Sequence, residues 1–557
     1  MSDIRNLHKK KVFWGAGAVA NRVLSTNMQK DEISFFIDRN LKRKEFLGKK
    51  VLHPQDINNW HELFVYVPYT IYSEIVPFLQ NQGLIENVDY VSCGRFDTQM
   101  TIEEIQNDLN RAVTDLKKAV SIWRNSTVVF FDRLVTFKLY TDFFVQLRKN
   151  GIFFNIITHD YWGGKEDIKR IFDADSIVHP KIFHSRTKIL NNIQLEKKIK
   201  EEISENPFLV SIANHIYYYT GDRNVTDCYY QVKCFAEYLD VFFDYIQPNA
   251  VLCSTTVTPP HALLAHMCRE RNIPVVSTHE GIIPGTLAFD LHGGEMGASL
   301  PAIYVNEFKK LTVSEVDLKE ARDVWRYLYE SKLNRKRQPQ NDNKKILMAK
   351  IKIGRPVVFF AGQNDTSSNM VPYTENTRKY HSPMFESSTE AAAYIAQICV
   401  DNDWNFIYKP HPMYVKREQV SSLPSNTIFL EMGDINELID FADVTVTILS
   451  ATSYNALTRY KPVVMLGYTQ LRGKGCTYEA FEKDKIEDTI KEALENGFAQ
   501  EQQEAFLLHM AQCLKYYLYD DLQERPIRYG RPVPKSIDEF YELERLLQAE
   551  GVRRETT

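Results

Sequence analysis

The chain lacks the features that announce several protein classes. Its eight cysteines, at positions 93, 228, 234, 253, 268, 399, 476 and 513, are scattered over 557 residues without a CxxC pair or zinc-finger spacing. Neither a disulfide framework nor a structural zinc site is expected, and reduced thiols in a cytoplasmic compartment are the simple reading. An excess of charge of one sign is missing too. The 68 Lys and Arg against 72 Asp and Glu give a formal net charge of -4, which makes no case for nucleic acid as a partner. No run approaches eighteen uninterrupted apolar residues, so no helix is expected to span a membrane. The opening "MSDIRNLHKKKVFWGAGAVANRV" has basic residues but no long apolar core followed by a small-residue cleavage site, and does not read as a signal peptide. Repeats of solenoid period, low-complexity tracts and a GxSxG nucleophile elbow are absent as well.

What is present is apolar and aromatic material, 44% and 12% of the residues, enough at this length to bury more than one core and to predict two to four domains. Residues 1–98 read as a small Rossmann-like domain. "KVFWGAGAVANRVL" gives a strand, a glycine turn and a helix, and "ISFFIDRN" gives a second strand ending in Asp38. Gly15 and Gly17 would let backbone N–H groups approach a phosphate at a helix start, and Asp38 would accept from a ribose hydroxyl. The third glycine of the dinucleotide fingerprint is missing, with Ala20 nearby, so glycines that only make the turn are the competing reading.

An amphipathic helix over residues 101 to about 122 leads into a second α/β domain, residues 99–345 with the linker. There "TVVFFD" ends at Asp132 and "IFFNIITHD" at Asp160, and "NAVLCS", "PPHALLAHMCRERN" and "IPVVSTHEG" follow in the strand–helix–strand order of a parallel sheet. Residues 346–557 repeat the pattern from "RPVVFFAGQND" through "WNFIYKPHP" and "DVTVTIL" to "KPVVMLG", and close on the helix "SIDEFYELERLLQAE". Residues 332–355 carry nine Lys or Arg against the single acid Asp342. That stretch reads as a solvated linker whose composition is compatible with contact to a lipid surface.

Four polar clusters fall at the ends of apolar strands, where open α/β sheets hold ligands. In "STHEGIIPGTLAFDLHGGEMGASLPAIY", His279 and Glu280 follow a strand while Gly281, Pro284 and Gly285 force an irregular loop. A carboxylate there is suited to taking the proton of an acceptor hydroxyl as a sugar carbon is attacked, with hydrogen bonding inside the loop as the alternative. Asp160, at another strand end of the same half, joins the pair as a candidate catalytic residue. In "FFAGQNDTSS", Gln363 can donate and accept, and Asp365 either binds hydroxyls or caps the following turn. In "KPHP", two prolines fix the backbone and present Lys409 and His411, cations suited to holding a phosphate leaving group. In "TILSATSYNALTRYKPVVMLG", Ser450, Thr452 and Ser453 start a helix whose free N–H groups suit a phosphate, with plain N-capping as the alternative. His411 and this helix start are expected to clamp one phosphate from two sides.

Taken together, "HEGIIPGTLAFDLHGGEMGASLP", "GQND", "KPHP" and "TILSATSYNALTRYKPVVMLG" resemble the bacterial capsule polysaccharide biosynthesis proteins, notably the Kdo transferases of capsule assembly. The likeness covers roughly residues 250–480, and 120–250 in outline. The first hundred residues, through "GAG", "FIDR" and "GKKV", resemble small Rossmann-like domains that bind nucleotide sugars or are attached to bacterial polysaccharide enzymes. The resemblance implies an α/β fold with a GT-B-like pair of Rossmann-like lobes preceded by a small Rossmann-like domain. The acceptor-side lobe would lie in residues 99–345 and the donor-side lobe in 346–557.

It further implies a glycosyltransferase, independent of metal and of cofactor, at the cytoplasmic side of the membrane. Such an enzyme passes a sugar from a nucleotide sugar, CMP-Kdo in the named family, to a glycan or glycolipid acceptor, among capsule assembly proteins and in peripheral contact with the membrane. By this match His411 and the Ser/Thr helix start grip the donor phosphate, and Glu280 is a site residue of the first lobe. The N-terminal domain would take a nucleotide or nucleotide sugar. Two departures bear on the donor: the family's Glu before Ala-Leu is Asn455 here, and Ser450-Ala451-Thr452 replaces a simple Ser-Thr pair. A nucleotide sugar in general is therefore implied before CMP-Kdo in particular.

Other readings stay open on sequence alone. A metal-dependent transferase would use a DxD, and "FDADS" offers Asp173 and Asp175, but that pair follows a helix-like segment and has no other matching element. A CDP-polyol phosphotransferase shares the two-lobed shape and the cytidine donor. A non-catalytic nucleotide-sugar-binding scaffold of the capsule machinery would need the same strand-end clusters.

Overall fold

The computed structural model describes residues 9–17, 20, 24, 32–39, 44–68, 72–85, 88–93, 98–131, 134–158, 176–178, 187–189, 207–220, 225–253, 256, 261–293, 296–334, 343–365, 368, 379–411, 423–430 and 433–555. The chain divides into two compact units, Met1–Gln99 with Arg186–Lys188, and Met100–Ser185 with Ile189–Thr557.

The first unit is built on β1 (Lys10–Trp14), β2 (Phe35–Ile37), β3 (Glu45–Phe46), β4 (Lys49–Leu52), β5 (Leu63–Pro68) and β6 (Tyr90–Cys93), ordered β3-β4-β2-β1-β5-β6. All neighbours are parallel except the short β3–β4 hairpin at the edge. Val12 and Trp14 point to one core, with Val65, Val67 and Leu79, while Phe13 points to the other, with Phe36 and Val51. A strand apolar on both faces in this way belongs in the middle of a parallel sheet.

The short strands β7 (Thr98–Met100) and β11 (Thr187–Ile189), which lie mainly in the first unit, form a separate two-stranded sheet. Two larger sheets make up the second unit. In chain order come β8 (Thr127–Phe131), β9 (Phe154–Thr158), β10 (Ser176–Val178), β12 (Ala250–Cys253), β13 (Val275–Glu280) and β14 (Thr286–Asp290). The first lobe runs β10-β9-β8-β12-β13-β14-β21, where β21 (Leu518–Asp520) arrives from far down the chain to pair antiparallel with β14. The second lobe holds β15 (Val357–Ala361), β16 (Asn405–Lys409), β17 (Ile428–Phe429), β18 (Val444–Thr447), β19 (Val463–Met465) and β20 (Tyr478–Glu479). Its order is β17-β16-β15-β18-β19-β20, all parallel. Numbered within the lobe this is 3-2-1-4-5-6, the doubly wound order, and its direction reverses between β15 and β18.

The expected α/β architecture is therefore present: two Rossmann-like lobes after a small Rossmann-like unit. Sequence dictates it through strands buried on both sides. Phe359 and Ala361 face one core with Ile407, Leu438 and Tyr454, while Val358 and Phe360 face another with Ile395 and Ile490. Each such aromatic or branched side chain contributes about 1.5–3 kcal/mol through burial. The first of these cores also takes in Ile282 and Ile283 from the loop after β13, so the two lobes share it. Among the described residues no helix is long and apolar enough to cross a membrane.

Candidate functional site

In the second lobe the carboxyl ends of β15, β16 and β18 bring three of the sequence clusters together. β15 stops at Ala361, and Gly362 donates its N–H to the carbonyl of Lys409 at 2.9 Å. A methyl group at Gly362 would press on Pro410 Cα and the Tyr408 ring, both at 3.1 Å, so glycine is what lets the "KPHP" backbone lie against the neighbouring strand end. The buried side chain of Gln363 crosses the switch point. Its Oε1 accepts from the N–H of Leu449, after β18, at 2.8 Å, while its Nε2 donates to Ser368 Oγ at 3.2 Å. Thr447 Oγ1 donates to the Ala361 carbonyl at 3.1 Å and accepts from Ser450 N. These bonds fix the mouth of the crevice where ligands of doubly wound sheets sit.

Lys409 ends β16. Its residue is 5% exposed, and among the described residues its ammonium makes no hydrogen bond. Burial pushes its pKa down to about 8, with the carboxylate of Asp434 pulling the other way. Lys474 supplies the contrast. It is as deeply buried and also pushed down to about 8 by burial, but its ammonium donates to the carbonyls of Pro301 at 3.0 Å and Val305 at 2.9 Å. A buried ammonium is costly unless it is paired. Two carbonyls provide for Lys474, whereas Lys409, at the carboxyl end of β16, has the Asp434 carboxylate as the opposite charge acting on it. His411, half-buried, follows two residues on.

Across β15 lies the other candidate half of the clamp. Ser450 Oγ accepts from Thr452 N at 3.3 Å and shares a hydrogen with Thr452 Oγ1 at 2.9 Å, and Ser453 Oγ donates back to the Ser450 carbonyl at 2.9 Å. Ser450 Oγ thus takes up one N–H at the start of the short helix Thr452–Thr458, whose N-cap, Ala451, makes no side-chain bond. With β15 between them, β16 and β18 end about 10 Å apart at the usual strand spacing. Asn455, one turn on, donates to Asn334 Oδ1. It lines a cavity of about 20 Å³ with Ile283 and Pro284 of the first lobe.

Asp365 is fully buried and serves the helix Ser388–Asp401: Oδ2 accepts from Ser388 N at 2.9 Å and Oδ1 from Ser388 Oγ at 2.6 Å. Desolvation raises its pKa to about 6, against those same bonds. Asp365→Ala is expected to leave the Ser388 N–H and hydroxyl unsatisfied and to lower unfolding stability by about 1–3 kcal/mol, measured by urea titration.

In the first lobe, His279 and Glu280 end β13, both half-buried, with His279 Nδ1 2.8 Å from the Glu280 carbonyl. The loop after β14 is organised by a residue that sequence reasoning did not single out. Asp290, fully buried, accepts from His292 N and Leu300 N, both at 2.8 Å, from Gly293 N at 3.3 Å, and from Tyr517 Oη at 3.0 Å. That loop lies over the end of β12, where Thr256 Oγ1 donates to the His292 carbonyl. It also reaches the second lobe, where Gly297 packs against the carbonyls of Tyr380 and Tyr468 beyond β19. Through Gly297 the segment after β14 therefore touches the second lobe just past the end of β19. Asp132, Asp160, Asp173 and Asp175 lie outside the described residues.

In the N-terminal unit, Gly15 turns the chain at φ +97° and donates to the Ile37 carbonyl, and Ala16 N donates to Asp38 Oδ2 at 2.9 Å. Asp38 thus supports the glycine turn. Among the described residues nothing lies within 4 Å of where side chains would stand on Gly15 and Gly17. Among the described residues no group of three His, Cys, Asp or Glu side chains is placed to hold a metal ion.

No family model matches the chain, and no curated protein does. Solved structures do. A β-Kdo 2,7-transferase, KpsC of Thermosulfurimonas dismutans, aligns at 14% identity over 69% of this chain and 89% of its own, with a TM-score of 0.31. The β-Kdo 2,4-transferase of the same organism's KpsC aligns at 13% identity over 54% and 87%, with a TM-score of 0.34. The glycosyltransferase SnogD of Streptomyces nogalater aligns at 13% identity over 77% and 100%, with a TM-score of 0.28. Superpositions at this level are partial, and the chemistry of the site rests on its own residues.

Proposed function

We propose that this chain is a glycosyltransferase of bacterial capsule or surface polysaccharide assembly, moving a sugar from a nucleotide sugar to a glycan or glycolipid acceptor. The observation that carries this reading is Lys409: a buried lysine whose ammonium makes no hydrogen bond among the described residues, at the carboxyl end of β16 and one strand from the switch point. A donor phosphate would supply its missing partner. Lys409 and His411 would then stabilise the charge that grows on the leaving phosphate, and the turn at Ser450, Thr452 and Ser453 would face it from the far side of β15. Gln363 and Asp365, bonded to Leu449 and Ser388, would hold the strand end and helix start beside the donor.

On the acceptor side Glu280 would take the hydroxyl proton, with His279 and Asp160 as further candidates. A CMP-sugar, CMP-Kdo first, is the donor that the sequence resemblance favours, and the reaction needs neither metal nor cofactor. Gly15, Gly17 and Asp38 would form a separate nucleotide site. Work at the inner face of the membrane, on a lipid-linked acceptor and beside capsule assembly proteins, fits the basic stretch 332–355.

Thermal-shift screening against CMP, CDP, UDP, GDP and NAD tests the reading, since a ligand at 100 times its Kd stabilises the native state by about 2.7 kcal/mol. CMP is expected to raise the midpoint most. His411→Ala should abolish that rise and slow transfer strongly; an unchanged rate rejects the phosphate role. Product mass after incubation with CMP-Kdo or with a CDP-polyol separates sugar transfer from polyol-phosphate transfer.

A further inference from the structure

We propose that Tyr529 and Arg525 are positioning residues for Glu280, acting through the turn that follows it. The inference rests on the reading of Glu280 as the acceptor-side base. Glu280 is the last residue of β13, and the hairpin to β14 closes immediately beyond it, with Gly281 N donating to the Thr286 carbonyl at 2.8 Å. The intervening turn is buried and tied across itself by Thr286 Oγ1, which donates to the Ile283 carbonyl at 2.6 Å.

Two successive carbonyls of this turn are held by a segment more than 230 residues away in sequence. Tyr529 Oη donates to the Pro284 carbonyl at 2.6 Å, and Asp521 N donates to the Gly285 carbonyl at 3.2 Å. Gly285 has φ +84°, and a methyl group there would stand 2.6 Å from Tyr529 Oη and 2.8 Å from an Arg525 nitrogen. The turn and its clamp therefore fit with no room for a side chain.

The clamp is itself rigid. The Arg525 side chain is 5% exposed, its guanidinium bonds Asp520 and Asp521, and it stacks on the Tyr529 ring at 4.6 Å. Arg528 Nε adds a second cation to Asp520 at 2.8 Å. Apolar side chains of similar volume stabilise a core as well as a buried ion network does. What such a network supplies here is a single geometry, and that geometry is passed to the backbone beside Glu280.

The test compares Tyr529→Phe, Gly285→Ala, Arg525→Lys and Glu280→Gln in the full chain. CMP release from CMP-Kdo gives kcat, calorimetry gives the CMP dissociation constant, and the melting midpoint reports folding. Tyr529→Phe and Gly285→Ala are expected to lower kcat at least tenfold with the CMP constant unchanged within twofold, and to displace the pH limb of kcat that Glu280→Gln abolishes. Arg525→Lys should retain part of the rate. If Glu280→Gln stops turnover while Tyr529→Phe lowers only the melting midpoint, leaving kcat and its pH profile as in wild type, the positioning role is overturned and the base role stands. Full turnover by Glu280→Gln, or no CMP release by wild type, overturns both.

Discussion

Lys409→Met is expected to lower the affinity for the donor nucleotide about 100-fold, ~2.7 kcal/mol, and at the same time to make the unliganded protein more stable. The two effects have one cause. On the proposed reading the desolvated ammonium gains its close anionic partner from the donor, so removing it would relieve the empty protein and deprive the complex. The pH dependence follows with a definite sign. The folded-state pKa is pushed down to about 8 by burial, below the unfolded value of about 10.4.

The penalty on the unliganded protein is thus fully present below pH 8 and fades as the pH rises toward 10.4, at roughly 1.4 kcal/mol per unit. Donor affinity runs the other way, falling as pH climbs through 8 and the ammonium is lost. Lys409→Arg, which stays charged, should hold its affinity flat across the same range. Calorimetry with CMP between pH 7 and 9.5 measures this, and identical pH curves for wild type and Lys409→Arg would remove Lys409 from the anion site.

A second large effect is expected in acid. Burial drives the pKa of His381 down to about 3, with His215 adding to the shift, and holds His509 well below its ordinary value. Both are neutral in the folded protein, and both gain a proton on unfolding below about pH 6.5. The stability they allow is complete above pH 6.5 and declines below it, at roughly 1.4 kcal/mol per unit for each. Asp365, raised to about 6, binds its proton earlier in the folded state and offsets part of the decline between pH 6 and about 4.

His381 is the better probe, because its Nδ1 is buried without a partner among the described residues, whereas His509 Nε2 lies 2.7 Å from Tyr454 Oη. Replacing His381 by Leu should flatten urea-unfolding stability between pH 7 and 5 by close to one proton's slope. Parallel slopes for the two proteins would contradict it.

These expectations divide along what local sequence can express. The doubly wound lobes were legible because a parallel sheet demands strands apolar on both faces, and "RPVVFFAG", "WNFIYKP" and "DVTVTIL" satisfy that demand within a few residues. The crowding of polar residues at strand ends was legible for the same reason, since glycine and proline mark where strands stop. What each polar residue touches was not. Asp365 binds Ser388, 23 residues on, and Asp290 takes a hydroxyl from Tyr517, 227 residues on. Neither partner leaves a trace in its neighbourhood. Lys409 and Lys474 look alike as isolated letters, and only the placement of two carbonyls distinguishes them.

The pairing of β21 with β14 has a bearing on biogenesis. Almost all of the first lobe has left the ribosome long before residues 518–520 are made, so its β14 border stays naked until then. Such an unpaired border invites association with other chains. A nascent protein halted in the second lobe would therefore be sticky at the first, and chaperone demand should persist until residues 518–520 emerge.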